Sequence, residues 1–172
     1  IDQYWGAPWH SRHGLLFSGR LGWSEGSPFY NSFYQGGGEL LFSQGRGFFN
    51  NRGFIPGLFA GRRMATFTAE YRFPLFELER GLGLLPFRLR RMHAALVADT
   101  LTFDFGKTHV TETPFLSRNH LFSNFYTSAG LELKSDWMLF FYLPAQVRLG
   151  FYHGFGDFGE PVYFVFGMEA SL

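Results

Sequence analysis

The stretch Val162-Tyr163-Phe164-Val165-Phe166-Gly167-Met168-Glu169-Ala170-Ser171-Leu172 decides the fold class. Val162, Phe164, Phe166, Met168, Ala170 and Leu172 are apolar, and the residues between them are mostly small or polar. A period of two places successive side chains on opposite faces of a strand. One face of this segment is suited to lipid and the other to a wet interior. Soluble sandwich strands alternate too, but seldom over this length at this aromatic density.

The same alternation recurs upstream. From Ala65, the residues Phe67, Ala69, Tyr71, Phe73 and Leu75 share one face, and Thr66, Thr68, Glu70 and Arg72 share the other. Between about 137 and 151, Leu139, Phe141, Leu143, Ala145, Val147, Leu149 and Phe151 alternate with residues that include Gln146 and Arg148. Weaker versions occupy 13–23, 34–43, 88–103 and 118–134, and a short strand fits within 1–10. No stripe of period 3.6 is sustained, so no helix is expected.

Composition agrees with the pattern. The 172 residues include 24 Phe, 8 Tyr, 4 Trp and 22 Gly, a pairing suited to aromatic girdles and crowded barrel walls. Mean hydropathy is −0.06, and no run approaches the ~20 apolar residues of a spanning helix. A barrel strand needs only about 9–11 residues with one polar face, so near-neutral hydropathy is compatible with crossing a bilayer. The 15 basic and 14 acidic residues are scattered, which gives no basic groove for nucleic acid. Without cysteine there is neither a disulfide framework nor a thiolate metal site. The opening Ile1-Asp2-Gln3-Tyr4-Trp5 does not read as a signal peptide.

The expected fold is therefore all-β, an antiparallel transmembrane β-barrel of bacterial outer-membrane type. About seven or eight strands are present, in a single domain over 1–172. Lys134-Ser135-Asp136 reads as a tight turn. Longer polar or Gly-rich connections at 43–61, 104–117 and 152–160 alternate with the short ones, as in outer-membrane barrels. The segments 24–33 and 76–87 are long for periplasmic turns. Trp5, Trp9, Trp23 and Trp137 suit interface anchors.

The segment Asn51-Arg52-Gly53-Phe54-Ile55-Pro56-Gly57-Leu58-Phe59-Ala60-Gly61 leads into a strand ending Glu70-Tyr71-Arg72-Phe73-Pro74-Leu75. This resembles the bacterial surface-antigen superfamily, which includes BamA, TamA and the two-partner secretion transporters. In that family a long loop folds into the lumen with a Val-Arg-Gly-Phe/Tyr tip, and here Asn51 stands in place of the valine. Ala94-Ala95-Leu96-Val97-Ala98-Asp99 is similar to the strand that follows, although the phenylalanine and glycine flanking the family's aspartate are not kept. An insertion over Glu39–Asn50 separates Gly36-Gly37-Gly38 from the tip. The likeness covers almost the whole chain but only the C-terminal half of the family's larger barrel. Its amino-terminal strands and periplasmic POTRA modules have no counterpart in these residues.

The resemblance implies that 43–61 enters the lumen and that Arg52, Gly53 and Phe54 form a lock with Glu70 and Asp99. Period two independently sets Glu70 on the polar face of its strand and Asp99 on the face of His93, Ala95 and Val97. A lumenal guanidinium is suited to pair with both carboxylates. It further implies insertion or translocation of other envelope proteins, without covalent chemistry. Val162, Phe164, Phe166 and Met168 would form one side of a weak seam. Expected partners are outer-membrane lipid including lipopolysaccharide, client envelope proteins, and further barrel strands or subunits. No catalytic residue, cofactor or metal is expected.

Two other readings remain open at this stage. A self-contained eight-stranded structural barrel requires an eighth strand within 1–12 and a lumen packed with side chains. A barrel lipid hydrolase requires a Ser–His pair, for which His120, Ser123 and Asn124 are the nearest material. In a regular strand Ser123 faces away from the other two. The six histidines show no two-His spacing that demands a metal. Gly36-Gly37-Gly38 lacks the Lys and Ser/Thr of a phosphate loop.

Overall fold

The computed structural model describes residues 1–10, 12–24, 34–38, 48–81, 86–104, 121–140, 142–156 and 158–170, with backbone only at 78–81 and 168–170. Alternation between apolar and polar residues becomes strand over most of the described residues. Ten strands follow in order: β1 (Asp2–Gly6), β2 (Gly14–Trp23), β3 (Tyr34–Gly37), β4 (Phe48–Asn50), β5 (Phe59–Gly61), β6 (Arg63–Gly81), β7 (Phe87–Asp104), β8 (Tyr126–Leu139), β9 (Leu143–Gly154) and β10 (Tyr163–Ala170). The stretch expected as one strand over 137–151 is divided between β8 and β9 after Leu139, and 121–125 of the stretch 118–134 is turn.

Seven of them form one antiparallel sheet in the order β1-β2-β6-β7-β8-β9-β10. The sheet is not closed: β1 and β10 are its two edges. The other three make a small sheet in the order β4-β3-β5, in which β3 runs parallel to β4 and antiparallel to β5. The expected wall strand at 34–43 is thus corrected. Its described part, β3, pairs within the small sheet, and Trp23 of β2 pairs directly with Arg63 of β6.

A second correction concerns Lys134-Ser135-Asp136, which lies inside β8. Lys134 and Asp136 point to one face and Ser135 to the other, so the polar triplet is ordinary strand alternation. The turn comes later, at 140–142, where Phe140 adopts a φ of 52° and Tyr142 N–H donates to Leu139 O at 3.2 Å. The seam strand begins at Tyr163, one residue after Val162, which is exposed. The long segment expected at 76–87 shortens to 82–86, because β6 continues to Gly81. Leu75 is an extra residue between the Pro74–His93 and Phe76–Met92 pairs. A bulge at this point accommodates a proline that cannot donate to the ladder.

Strand directions sort the connections by length. The strand ends separated by short intervals, Gly6/Gly14, Gly81/Phe87 and Leu139/Leu143, lie at one end of the sheet, and those separated by longer ones, Trp23/Arg63, Asp104/Tyr126 and Gly154/Tyr163, lie at the other. The two faces differ in chemistry. One face, here called inner, carries Ser18, Thr68, Glu70, Asp99, Glu132 and Arg148, and the segment 48–61 packs on it. The outer face carries Phe17, Leu21, Phe67, Leu96, Leu131, Phe151 and Phe164, each about half exposed or more.

Candidate functional site

The site is built where the segment between β4 and β5 meets the middle of β6, β7 and β8. Asn50 ends β4, and the chain turns through Asn51-Arg52-Gly53-Phe54 before β5 returns it. Gly53 has a φ of +98°, and a Cβ there would lie 2.9 Å from both Gly154 N and Ser128 Cβ. The tip therefore needs glycine for its backbone angle and for its closeness to the wall. Gly38 meets the returning chain in the same way, since a Cβ on it would lie 2.2 Å from Phe54 O. Glycine at this position allows the close approach.

Phe54 is fully buried and anchors the tip in an aromatic cluster. Its ring lies 5.2 Å from Phe59 edge-on and 6.3 Å from Tyr126, and Phe59 is 4.6 Å from Tyr126. Phe49, Met64, Leu101 and Phe103 complete the cluster. Edge-to-face pairs of this kind add about 0.5–1.5 kcal/mol each beyond area burial.

Beside that apolar plug, the structure brings Arg52, Glu70 and Asp99 together. Arg52 Nε and Nη2 donate to Asp99 Oδ2 and Oδ1 at 2.7 and 2.9 Å, a bidentate pair, and the Arg52 backbone N–H reaches Oδ2 at 3.1 Å. Arg52 Nη1 donates to Glu70 Oε1 at 3.2 Å. Thr68 Oγ1 donates to Asp99 Oδ1 at 2.8 Å, and Arg72 holds the other Glu70 oxygen at 2.5 Å.

A third carboxylate escaped the sequence reading. Glu132 of β8 is 0% exposed, and its Oε1 accepts from Arg52 Nη1 at 2.6 Å. Tyr152 OH donates to the same oxygen, and Lys134 Nζ lies 2.6 Å from Oε2. Tyr152 reaches this point because Gly130 and Gly150 have no side chains. A Cβ on either would lie within 2.5 Å of the tyrosine ring or hydroxyl. The signal for Glu132 was present in its period-two alignment with Ser128 and Gly130 on the polar face of β8.

Asn51 is also fully buried. Its Nδ2 donates to Tyr126 O at 2.8 Å, its Oδ1 accepts from Ser128 Oγ at 3.0 Å, and its backbone N–H donates to Gly37 O at 2.7 Å. On the side of β9 and β10, Glu160 N–H donates to Gly53 O at 3.0 Å. Arg52 itself lies 5.6 Å from the centre of the Tyr152 ring.

The remaining candidate residues lie apart from this cluster. Phe164 and Phe166 are on the outer face of β10, and Met168 is placed by backbone pairing with Val147. His120 is outside the described residues, as are 43–47 of the expected loop and 105–117 of a long connection. Ser123 and Asn124 sit in the turn that precedes β8, not in a strand. The His10 and His13 rings lie with centres 4.2 Å apart in a tilted arrangement, and His13 Nδ1 lies 2.5 Å from Tyr71 OH. Among the described residues no group of three or more His, Asp or Glu is arranged to hold a metal.

What the cluster can do chemically is hold. The Arg52 guanidinium makes four hydrogen bonds to three carboxylates, which ties the tip to β6, β7 and β8 at once. Breaking such a buried arrangement from one side leaves uncompensated charge, at about 3–5 kcal/mol. Compared with family models, curated proteins and solved structures, the chain matches none.

Proposed function

We propose that these residues form the wall of a transmembrane β-barrel of outer-membrane type, belonging to the class that inserts or translocates other envelope proteins. The observation that carries the membrane part is the reversal of burial across the sheet. Phe67, Leu131 and Phe166 are 53%, 47% and 55% exposed, while Glu132 and Asp99 on the opposite face are 0% and 2% exposed. Soluble proteins seldom leave so continuous an apolar face bare. In lipid that face is the favourable one.

Two further features support it. Short connections at one end and long ones at the other match the asymmetry of outer-membrane barrels. Exposed aromatics gather near both ends. Trp23, Phe122, Phe125, Phe155 and Phe158 are at the long-connection end, and Trp9, Phe76, Phe140 and Tyr142 at the other. Such rings favour the two membrane interfaces.

The assembly or translocation part rests on the likeness to the surface-antigen superfamily. Arg52-Gly53-Phe54, Glu70 and Asp99, which carry that likeness, are the residues that meet on the inner face. The edge strands β1 and β10 supply a backbone rim to which a client strand, or further strands of the barrel, can add. Lipid, including lipopolysaccharide, would cover the outer face. The self-contained eight-stranded alternative is less well supported, because the described sheet has seven strands and a chain segment occupies its inner face.

Two measurements test the proposal. A fluorescent label on Leu131→Cys in reconstituted bilayers should be quenched by lipid-borne quencher and not by aqueous iodide; the reverse result removes the membrane reading. A photo-crosslinker at Phe166 in cells should capture strands of nascent envelope proteins. Absence of any such adduct, with unchanged client levels in an Arg52→Glu strain, removes the assembly reading and leaves the membrane one standing.

A further inference from the structure

Besides the aromatic packing of Phe49, Phe54 and Phe59, the segment 48–61 touches the sheet through two polar contacts of different chemistry. The first is ionic, from Arg52 to Asp99, Glu70 and Glu132. The second carries no charge. Asn51 donates to the Tyr126 carbonyl and accepts from the Ser128 hydroxyl, both on β8. We infer that Asn51 is a second, charge-free anchor that keeps this segment seated on the sheet after the ion pairs are lost. The inference does not depend on the membrane reading.

The geometry makes the second contact more than a neighbour of the first. Asn51 and Ser128 are each at most 1% exposed, so water is a poor substitute for either partner. A carboxamide at this depth uses both ends, one as donor and one as acceptor, and an apolar residue of similar size leaves the Ser128 hydroxyl without that acceptor. Its targets lie on β8 alone, whereas the ionic contact spreads over Glu70 on β6, Asp99 on β7 and Glu132 on β8, with its bidentate part on β7. The Asn51 N–H donates to Gly37 O, which ties the same residue to β3. Phe54 then fills the aromatic pocket only three residues further on. Protonation of carboxylates removes the ionic anchor and leaves the amide–hydroxyl anchor unchanged. A segment held in this way behaves as a fixed bridge, not as a latch released by a single event.

The test uses hydrogen exchange of peptides spanning 48–61, in the intact chain, read by mass spectrometry. Arg52→Met with Asp99→Asn removes the bidentate pair as a unit, and Glu70 and Glu132 keep Arg72 and Lys134. That variant should expose the segment only modestly. Adding Asn51→Val should then accelerate exchange by about a further tenfold or more. Ser128→Ala, a gentler change on the wall side, should give a smaller acceleration in the same background. Circular dichroism identifies any variant whose sheet has been lost, and Ser128→Ala carries the test if Asn51→Val is among them. If the ionic variant already exchanges as fast as the triple variant, or if neither Asn51→Val nor Ser128→Ala changes exchange in that background, the inference is overturned.

Discussion

Leu131 and Glu132 are neighbours in β8, and they experience opposite worlds. Leu131 stands on the outer face at 47% exposed, and Glu132 on the inner face at 0%. The same inversion runs along β6, where Phe67 is bare and Glu70 is covered. In a water-soluble sheet the buried residue of such a pair would be the leucine. Here the polar face is buried by the chain's own segment 48–61, and the apolar face is left uncovered. The comparison teaches that burial and hydrophobicity are separate variables in this molecule. A core can be ionic when every charge in it has a partner.

Substitutions on the two faces break or sharpen the comparison. The largest effect is expected at Arg52→Ala, which takes the bidentate cation from buried Asp99 and one of the cations from Glu70 and Glu132, and should cost about 3–5 kcal/mol, read as a lowered urea midpoint in detergent micelles. On the other face, Leu131→Arg should cost about 2–4 kcal/mol in bilayers if the residue lies near mid-membrane. The same change in an aqueous-facing sheet should stay within about 0.5 kcal/mol, so the difference between the two is itself the readout. Gly53→Ala should cost about 1–3 kcal/mol, from its φ of +98° and its closeness to Ser128 and Gly154. Thr68→Ala removes one hydroxyl from Asp99 and should cost about 1 kcal/mol, measured in the same titration. The smallest effect belongs to Arg91→Ala, whose partner Asp136 lies near the short-connection end. Arg91 is 66% exposed there, and loss of that pair should change the midpoint by less than about 1 kcal/mol.

The wall was legible because alternation is local and does not depend on what fills the interior. β2, β6, β7, β9 and β10 follow the alternating stretches, and the short strand expected within 1–10 is β1. Two misreadings share a cause. Lys134-Ser135-Asp136 has the composition of a water-exposed turn, but in β8 its charged members face the inner cluster, where Lys134 meets Glu132. The turn at 140–142 contains Phe140 and Tyr142, residues that turn rules do not favour. Turn propensities rest on Gly, Pro, Asn, Asp and Ser, so an aromatic turn carries none of their signals. The small sheet was illegible for another reason. Its three strands are three or four residues long, too short for any period to declare itself.

In the candidate site, Arg52, Glu70 and Asp99 could be named because motif and face agreed. Glu132 was missed because its contact with Arg52 spans 80 positions in sequence and no local phrase marks it. Asn51 was visible only as a departure from a pattern. Its use emerged from Ser128 and Tyr126, which no spacing rule connects to it.

One feature of the wall bears on how such a chain can change over time. Trp23 and Arg63 face each other across β2 and β6, and the Arg63 guanidinium sits 3.9 Å over the Trp23 ring. The chain thus departs from the sheet and re-enters it at the same rung. Everything from 24 to 62 is a detour that leaves the ladder's numbering intact on both sides. Lengthening, trimming or exchanging that detour need not slip a single rung of the wall. The register of the sheet is therefore independent of the length of that detour, and an insert fitted at the Trp23–Arg63 joint has one duty to keep, which is to bring a cation to Asp99.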